Sequence, residues 1–240
     1  HLPKELKAKG LKVNHSNLCS EITLPTSEDR TAVCCLSSLN LEYFDEWSQD
    51  EMFLEDIIRM LDNTLSSFIK SAPSSMWRAS KSAESERSIG LGTMGFHSYL
   101  QKNNIALQSP MAMGPNLKIF KHIKKQADHV NLLLGKERGE APDMKGSGKR
   151  FAHMIAIAPN ASSSVIEIDQ AWLIDLAGER QKYICQAQSL NLFFPPDVDV
   201  RRLNNVHKRA WTKGLKTLYY LRSEAIRRAE NISVKVERQV

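Results

Sequence analysis

Short apolar runs that alternate with longer amphipathic segments are the feature that most constrains the fold of this chain. Between Asp50 and Pro73 the apolar residues recur at three- and four-residue steps, and this spacing predicts a helix. The same spacing predicts helices over residues 117–134 and 167–183. Runs such as Leu190–Phe194 are short enough to be strands. Strands that alternate with helices predict an α/β architecture with a largely parallel sheet or barrel.

Composition and cysteine content exclude several classes of protein. The chain has 240 residues, enough for one large domain with a core, and no stretch approaches the roughly 20 apolar residues of a membrane helix. The opening HLPKELKAKG lacks the apolar centre of a signal peptide. The four cysteines are Cys19, Cys34, Cys35 and Cys185. They are too few for a disulfide-stapled fold and lack zinc-ligand spacing, so we expect reduced thiols, a cytoplasmic location and no metal site.

The run Ser16-Asn17-Leu18-Cys19-Ser20-Glu21 carries three chemically useful side chains. A strand is predicted over Cys19–Leu24, and residues two apart in a strand share a face, which would align Asn17, Cys19 and Glu21. A thiol can carry a radical or act as a nucleophile, a carboxylate can move protons, and an amide can orient a hydroxyl. On spacing alone, a small buried cysteine with two polar neighbours is the commoner interpretation.

Three further segments contain reactive or anion-binding groups. The adjacent Cys34 and Cys35 are most often small core residues when seen alone. A strand that opens into the loop of residues 157–164 offers N–H groups and hydroxyls suited to phosphate oxygens, although a plain serine-rich turn fits the composition equally well. Tyr219 and Tyr220 follow Lys216 in a predicted strand, LKTLYYL, where neighbouring side chains would point to opposite faces. Core and rim aromatics are the ordinary interpretation of such a pair.

Together these segments resemble a known family. The run SNLCSEI followed by LPT is similar to the active-site strand of class I ribonucleotide reductase large subunits of the bacterial and phage type. AVCCLS, IAPNASSS and GLKTLYY follow in the order of that family, so the resemblance covers nearly the whole chain. It implies an α/β fold, a partial ten-stranded barrel of the ribonucleotide reductase and glycyl-radical type.

The resemblance implies a role for each reactive residue. Cys19 would become a thiyl radical that abstracts the hydrogen at the 3′ carbon of the substrate, Glu21 would take the proton of the 3′-hydroxyl, and Asn17 would orient the ribose. Cys34 would be a redox cysteine, whereas the resemblance gives Cys185 no redox role. The radical would arrive through Tyr220 and then Tyr219. Substrate-binding residues would be Ser16, Asn160, Ala161, Ser162 and Ser163, the last four on the loop for the substrate diphosphate.

Domain organisation and partners follow from the same resemblance. The chain begins with His1 rather than Met. Comparison with the family pattern implies one catalytic-barrel domain over residues 1–240 that lacks an N-terminal regulatory part, with its ATP and dNTP effector sites, and an internal segment after about residue 166. No cofactor is expected in the chain, because a small subunit with a dimetal centre would supply the radical. Thioredoxin or glutaredoxin, a ribonucleoside diphosphate and a second copy of the large subunit are the other partners implied.

Two alternatives to a working reductase subunit stay open at this point. The chain could be a non-catalytic remnant or a nucleotide-binding piece of a split reductase. Residues 201–240 hold eleven Lys and Arg against three Asp and Glu, and a basic end of this kind is compatible with nucleic-acid binding. The same charge could receive the tail of a small subunit, in which case Arg201, Arg202 and Lys208 would contribute. A solvated helix face is an equally good explanation.

Overall fold

The computed structural model describes residues 2–160 and 168–223 of the chain. The helices are α1 (Lys4–Ala8), α2 (Phe44–Trp47), α3 (Phe53–Ser71), α4 (Trp77–Glu86), α5 (Phe96–Lys102), α6 (Met113–Arg138), α7 (Gln170–Gln181) and α8 (Val200–Thr212). The strands are β1 (Cys35–Asn40), β2 (Ile89–Met94), β3 (Leu192–Phe194) and β4 (Leu221–Ser223). Three of the helices, α3, α6 and α7, confirm predicted helices, with ends that differ by a few residues.

Five chain segments lie side by side and run parallel within the described residues. β1 pairs with β2, and β2 continues to the 155–157 segment through a bridge between Leu91 and Ile155. Ile157 in turn bridges to Gln188. The segment 188–194, which ends with β3, lies beside β4 and the two residues before β4, Tyr219 and Tyr220. All of these pairings are parallel, which confirms the predicted α/β class. The array corresponds to half of the ten strands implied by the resemblance.

Helices cover one face of this array and form the main core with it. α3 packs against β1 and β2, α6 packs between α3 and α7, and α7 contacts α8. The buried apolar side chains of α3 are Leu54, Ile58, Leu61 and Leu65, whose helical spacing places them on one stripe of the helix. Among the helices of the described ranges, none combines the length and apolar character that a bilayer span requires.

Two glycines of β2 let neighbouring groups approach the strand closely. A Cβ atom added to Gly90 would lie 2.9 Å from the Cys34 sulfur, and one added to Gly92 would lie 2.7 Å from the Ala156 carbonyl oxygen. Real Cβ atoms do not tolerate such distances, so the Cys34 thiol occupies space that only glycine leaves open. Gly90 therefore allows Cys34, a candidate site residue, to lie close to β2.

The short apolar segments were predicted less accurately than the helices. β3 occupies only the last three residues of the predicted strand Leu190–Phe194. A strand over LKTLYYL is wrong, because β4 begins at Leu221 and the preceding residues have no regular structure. The strand over Cys19–Leu24 is also wrong, because a turn occupies its first residues.

Candidate active site

The chain between Asn17 and Ile22 forms a tight turn. The Asn17 N–H donates to the Ile22 carbonyl oxygen at 3.3 Å, and the Asn17 side-chain oxygen accepts the Ile22 N–H at 3.0 Å. Ser20 has a φ of 67° and donates its N–H to the Asn17 carbonyl oxygen at 3.0 Å. A left-handed residue interrupts the alternation of an extended strand. The prediction that Asn17, Cys19 and Glu21 line one strand face is therefore wrong.

The turn nevertheless brings Cys19 and Glu21 together, through Ser189. The Ser189 hydroxyl is hydrogen-bonded to the Cys19 carbonyl oxygen and lies 2.9 Å from the Glu21 carboxylate oxygen Oε2. Glu21 is 2% exposed, and its carbonyl oxygen accepts the Ala187 N–H at 2.9 Å. Cys19 is partly buried and its thiol is free. A thiol and a buried carboxylate thus share one neighbouring residue.

Two tyrosine rings in close contact lead to the Cys19 thiol. The ring centroids of Tyr219 and Tyr220 are 4.0 Å apart, with ring planes inclined by 37°. Hydrogen bonding to the Tyr220 hydroxyl, and then to the Cys19 thiol, raises the pKa of the Tyr219 phenol above its usual range. The Tyr220 N–H is directed to the Asn191 side-chain oxygen at 3.4 Å, a departure from regular strand pairing. Tyr220 is 44% exposed, so the series Tyr220, Tyr219, Cys19 runs inward from the surface.

A cleft of about 1040 Å³ opens beside the turn. Ser16, Asn17 and Cys34 are among the residues that line it. Clefts that bind small ligands commonly have volumes of several hundred cubic ångströms, so this one is large enough for a nucleotide. Cys19 and Glu21 are not part of its lining; they belong to the adjoining group around Ser189 and the tyrosine pair. The predicted site residues therefore fall into two groups that meet at the turn.

The predicted phosphate loop is described only at its start. Asn160 lies exposed at the end of the parallel 155–157 segment. Ala161, Ser162 and Ser163 lie outside the described residues. The assignment of this loop to a substrate diphosphate stays a prediction.

The Cys34 side chain contacts one polar group and a small apolar cluster. Its sulfur accepts a hydrogen bond from the Gln186 side-chain nitrogen at 3.8 Å, and it packs with Ile22, Leu24 and Ala156. Burial raises the pKa of the Cys34 thiol well above its usual range, despite the opposing effect of that hydrogen bond. The thiol is thus stabilised in its neutral form.

The neighbouring Cys35 belongs to a different part of the core. It packs against the main helix-covered cluster, whereas Cys34 packs with the small cluster that includes Ile22. Adjacent residues of an extended strand point to opposite faces, and these two cysteines follow that rule. All four cysteines of the chain are free thiols in the structure.

Sequence reasoning missed the residues that hold the reactive groups in place. Gln186 is fully buried, and its side chain contacts Cys34, the Ile89 carbonyl oxygen and the Thr23 N–H. Lys216 donates its Nζ to the carbonyl oxygens of Cys185 and Gln186 at 2.6 and 2.7 Å, and burial lowers the pKa of its amine. A signal was available in the sequence, since polar residues recur within the short run QAQSLN between apolar neighbours.

A second buried polar network lies at the start of β2. The Ser88 hydroxyl is 2.9 Å from a carboxylate oxygen of Glu86 and 3.3 Å from Nδ1 of His153. Burial raises the pKa of Glu86 to about 7 and lowers the pKa of His153 to about 3. Burial therefore shifts both groups toward their neutral forms. Within residues 2–160 and 168–223, no group of three or more His, Cys, Asp or Glu side chains could hold a metal ion.

The parallel array with its helix layer defines part of an α/β barrel, with a thiol, a carboxylate and two phenols grouped beside it. A family model described as "Ribonucleotide reductase, barrel domain" matches residues 4–148 and 163–221. The chain therefore belongs to the ribonucleotide reductase barrel-domain family.

Individual relatives agree with the family assignment. The chain is 41% identical to the ribonucleoside-diphosphate reductase large subunit of Invertebrate iridescent virus 3, over 94% of this chain and 48% of the relative. It is 40% identical to the corresponding subunit of Invertebrate iridescent virus 6, over 90% of this chain and 31% of the relative. The chain thus spans about half the length, or less, of these two relatives.

A solved structure matches the fold as well. The class Id ribonucleotide reductase alpha subunit of Actinobacillus ureae superposes with a TM-score of 0.87 at 32% sequence identity. The match covers 93% of this chain and 56% of that subunit. The relatives are therefore both viral and bacterial, and the fold is shared with the bacterial subunit.

Proposed function

We propose that this chain forms part of the catalytic barrel of a ribonucleotide reductase large subunit, which reduces ribonucleoside diphosphates to deoxyribonucleoside diphosphates by thiyl-radical chemistry. The observation that carries the proposal is the series of contacts from exposed Tyr220 through Tyr219 to the Cys19 thiol. Phenol O–H and thiol S–H groups can exchange a hydrogen atom along such a series. Glu21 lies next to Cys19, and the cleft beside the turn offers space for the substrate.

Each residue has a distinct part in the proposed reaction. A small subunit with a dimetal centre supplies the oxidising equivalent at Tyr220, and Tyr219 passes it on, so that Cys19 becomes a thiyl radical. Cys19 removes the hydrogen atom from the 3′ carbon of the ribose and returns one at the end. Glu21 accepts the proton of the 3′-hydroxyl, and the 2′-hydroxyl leaves as water with a proton from one of the two thiols that reduce the sugar. Asn17 orients the sugar at the cleft wall.

The reduction also requires two electrons from thiols. Cys34 lines the cleft and is placed to supply one of them, becoming half of a disulfide. Cys35 packs on the other side of β1, so the second thiol would come from a dithiol of the thioredoxin or glutaredoxin class, or from a further part of the protein. The aligned span of 303 residues with the iridescent virus 3 subunit exceeds the 240 residues of this chain, which supports the proposal that an internal segment is missing.

The test is deoxynucleotide formation from CDP with a matching small subunit and dithiothreitol. We expect product from the unmodified chain and none from Cys19→Ala, because a methyl group cannot carry the radical. Cys35→Ala is the matched control and is expected to keep the activity of the unmodified chain, since Cys35 packs away from the cleft. No product from a chain shown to be folded would contradict stand-alone activity and favour the remnant or a split enzyme.

We further propose that α8 receives the acidic tail of the small subunit. This helix exposes Val200 and Trp211 together with several cations, which suits a partner that has both apolar and acidic residues. Reversing the charge of Arg201, Arg202 and Lys208, which are all exposed on α8, is expected to weaken small-subunit binding by about tenfold or more at low salt.

Binding is best measured by calorimetry at two salt concentrations. The matched control reverses three exposed lysines of α6, Lys121, Lys125 and Lys136, which carry the same total charge. Equal losses from both triple variants would mean that net charge alone drives association, and unchanged binding of the α8 variant would exclude this docking surface.

A further inference from the structure

Ser189 lies between the carboxylate of Glu21 and the backbone carbonyl of Cys19. It is 9% exposed and lies in the parallel segment after Gln188, with its N–H donated to the Ile157 carbonyl oxygen at 2.9 Å. Its backbone is therefore fixed by the array, and only the hydroxyl hydrogen is free to reorient. That hydroxyl has two oxygen neighbours, the Cys19 carbonyl and Oε2 of Glu21.

The contacts of the Ser189 hydroxyl with Cys19 and with Glu21 depend on each other. A serine hydroxyl has one hydrogen to donate, whereas a carbonyl oxygen and an ionised carboxylate can only accept. When Glu21 is ionised, the Ser189 hydrogen goes to the charged carboxylate, because hydrogen bonds to charged acceptors are the stronger ones. When Glu21 carries a proton, its O–H donates to the Ser189 oxygen and the Ser189 hydrogen is released to the Cys19 carbonyl.

The Cys19 carbonyl belongs to the peptide that shapes the turn. This peptide joins Cys19 to Ser20, and Ser20 holds the unfavourable φ of 67°. The Ser20 hydroxyl is buried without a hydrogen-bond partner, so this side chain gives the turn no support of its own. A hydrogen bond from Ser189 to the Cys19 carbonyl therefore restrains the peptide whose orientation sets the position of the Cys19 thiol.

From these contacts we propose that Ser189 is a positioning residue that transmits the protonation state of Glu21 to the turn that carries Cys19. Uptake of a proton by Glu21 tightens the turn, and loss of that proton loosens it. If Cys19 and Glu21 act as in the proposed function, on which this part rests, the turn is tightest after Glu21 has taken the 3′-hydroxyl proton. The Cys19 thiol is then held in place to return its hydrogen atom.

Alkylation of Cys19 by iodoacetamide, measured by peptide mass spectrometry on the full chain, tests the coupling without requiring turnover. Glu21→Gln imitates the protonated acid, because its amide donates to the Ser189 oxygen and releases the Ser189 hydrogen to the Cys19 carbonyl. This variant is expected to slow alkylation about fivefold, the effect of one ordinary hydrogen bond. Ser189→Ala alone is expected to react at the unmodified rate, because the Ser189 hydrogen does not reach the Cys19 carbonyl while Glu21 is ionised. Adding Ser189→Ala to Glu21→Gln is expected to abolish the slowing, whereas adding Ser189→Thr, which keeps the hydroxyl, is expected to retain it.

Alkylation of Cys35 in the same samples is the internal control, since an unfolded or generally loosened chain would expose it too. An unchanged Cys19 rate in Glu21→Gln, or the same protection in the double variant with Ser189→Ala, would overturn the coupling even if Ser189→Ala failed to fold. In complexes with the small subunit, Ser189→Ala should lower kcat for CDP with little change in KM. Absence of CDP reduction by the unmodified chain would contradict the proposed function, while the alkylation rates would still decide the role of Ser189.

Discussion

Tyr219→Phe is expected to reduce deoxynucleotide formation to the background of Cys19→Ala, while leaving the fold and the small-subunit affinity unchanged. Phenylalanine preserves the ring whose centroid lies 4.0 Å from that of Tyr220, so packing is retained. It removes the hydroxyl through which Tyr219 contacts both Tyr220 and the Cys19 thiol. Without an O–H bond to break and reform, an oxidising equivalent at Tyr220 has no acceptor between the surface and Cys19.

The measurement is CDP reduction by the complex of the full chain with the small subunit. Tyr43→Phe is the matched control, because Tyr43 is 46% exposed and its ring contact with Lys102 does not need the hydroxyl. Normal activity is expected from that variant. Substantial product from Tyr219→Phe would show that the tyrosine pair is a packing feature and that the radical reaches Cys19 by another route.

Helical segments of this protein could be predicted because their apolar spacing is local. The buried residues of α3 follow one stripe, and the helix ends just before Pro73, so both its face and its end are visible in the sequence. β1 and β2 are also short apolar runs, and their parallel pairing follows from the helices between them. The α/β class was therefore within reach of sequence reasoning.

The geometry at Cys19 could not be predicted in the same way. No glycine or asparagine marks the left-handed position, which is occupied by Ser20, so the run SNLCSEI has the appearance of a strand. The groups that stabilise the turn are partly remote, since Ser189 follows Cys19 by 170 residues. The reactive residue types could be recognised in the sequence, but the contacts that orient their side chains involve distant parts of the chain.

Asp62 illustrates a signal that was available but not used. It follows Ile58 by four residues and therefore lies on the buried stripe of α3, where a charged residue is expected only with partners. The structure supplies three: Arg87 at 2.6 Å, Arg138 at 2.9 Å and Arg150 at 3.2 Å from its carboxylate oxygens. Burial alone would raise the pKa of Asp62, but hydrogen bonds from Arg87 and Arg138 outweigh it and lower the pKa.

Asp62→Asn is expected to destabilise the protein by about 3–5 kcal/mol, the usual cost of removing one partner from a buried ion pair. The asparagine retains the shape of the side chain but leaves Arg87 and Arg150 without a carboxylate partner, beside Arg138, which keeps Glu137 at 3.6 Å. Urea unfolding at neutral pH is the measurement, with Asp56→Asn on the exposed face of α3 as the control. The control is expected to lose less than about 1 kcal/mol, the size of a helix N-terminal charge effect.

The pH dependence and a second substitution separate this electrostatic cause from simple loss of packing. Because the folded-state pKa of Asp62 is lowered, its contribution is complete above the unfolded value of 3.8 and is lost only as the pH falls through the lower folded value. The difference in the free energy of unfolding between the unmodified protein and Asp62→Asn should therefore be constant from neutral pH down to about 4 and shrink below it.

Adding Arg150→Met to Asp62→Asn removes one uncompensated cation and should recover part of the lost stability. If the double variant is less stable than Asp62→Asn, repulsion among the arginines is not the cause, and the carboxylate acts mainly as a hydrogen-bond acceptor that joins α3 to the end of α6.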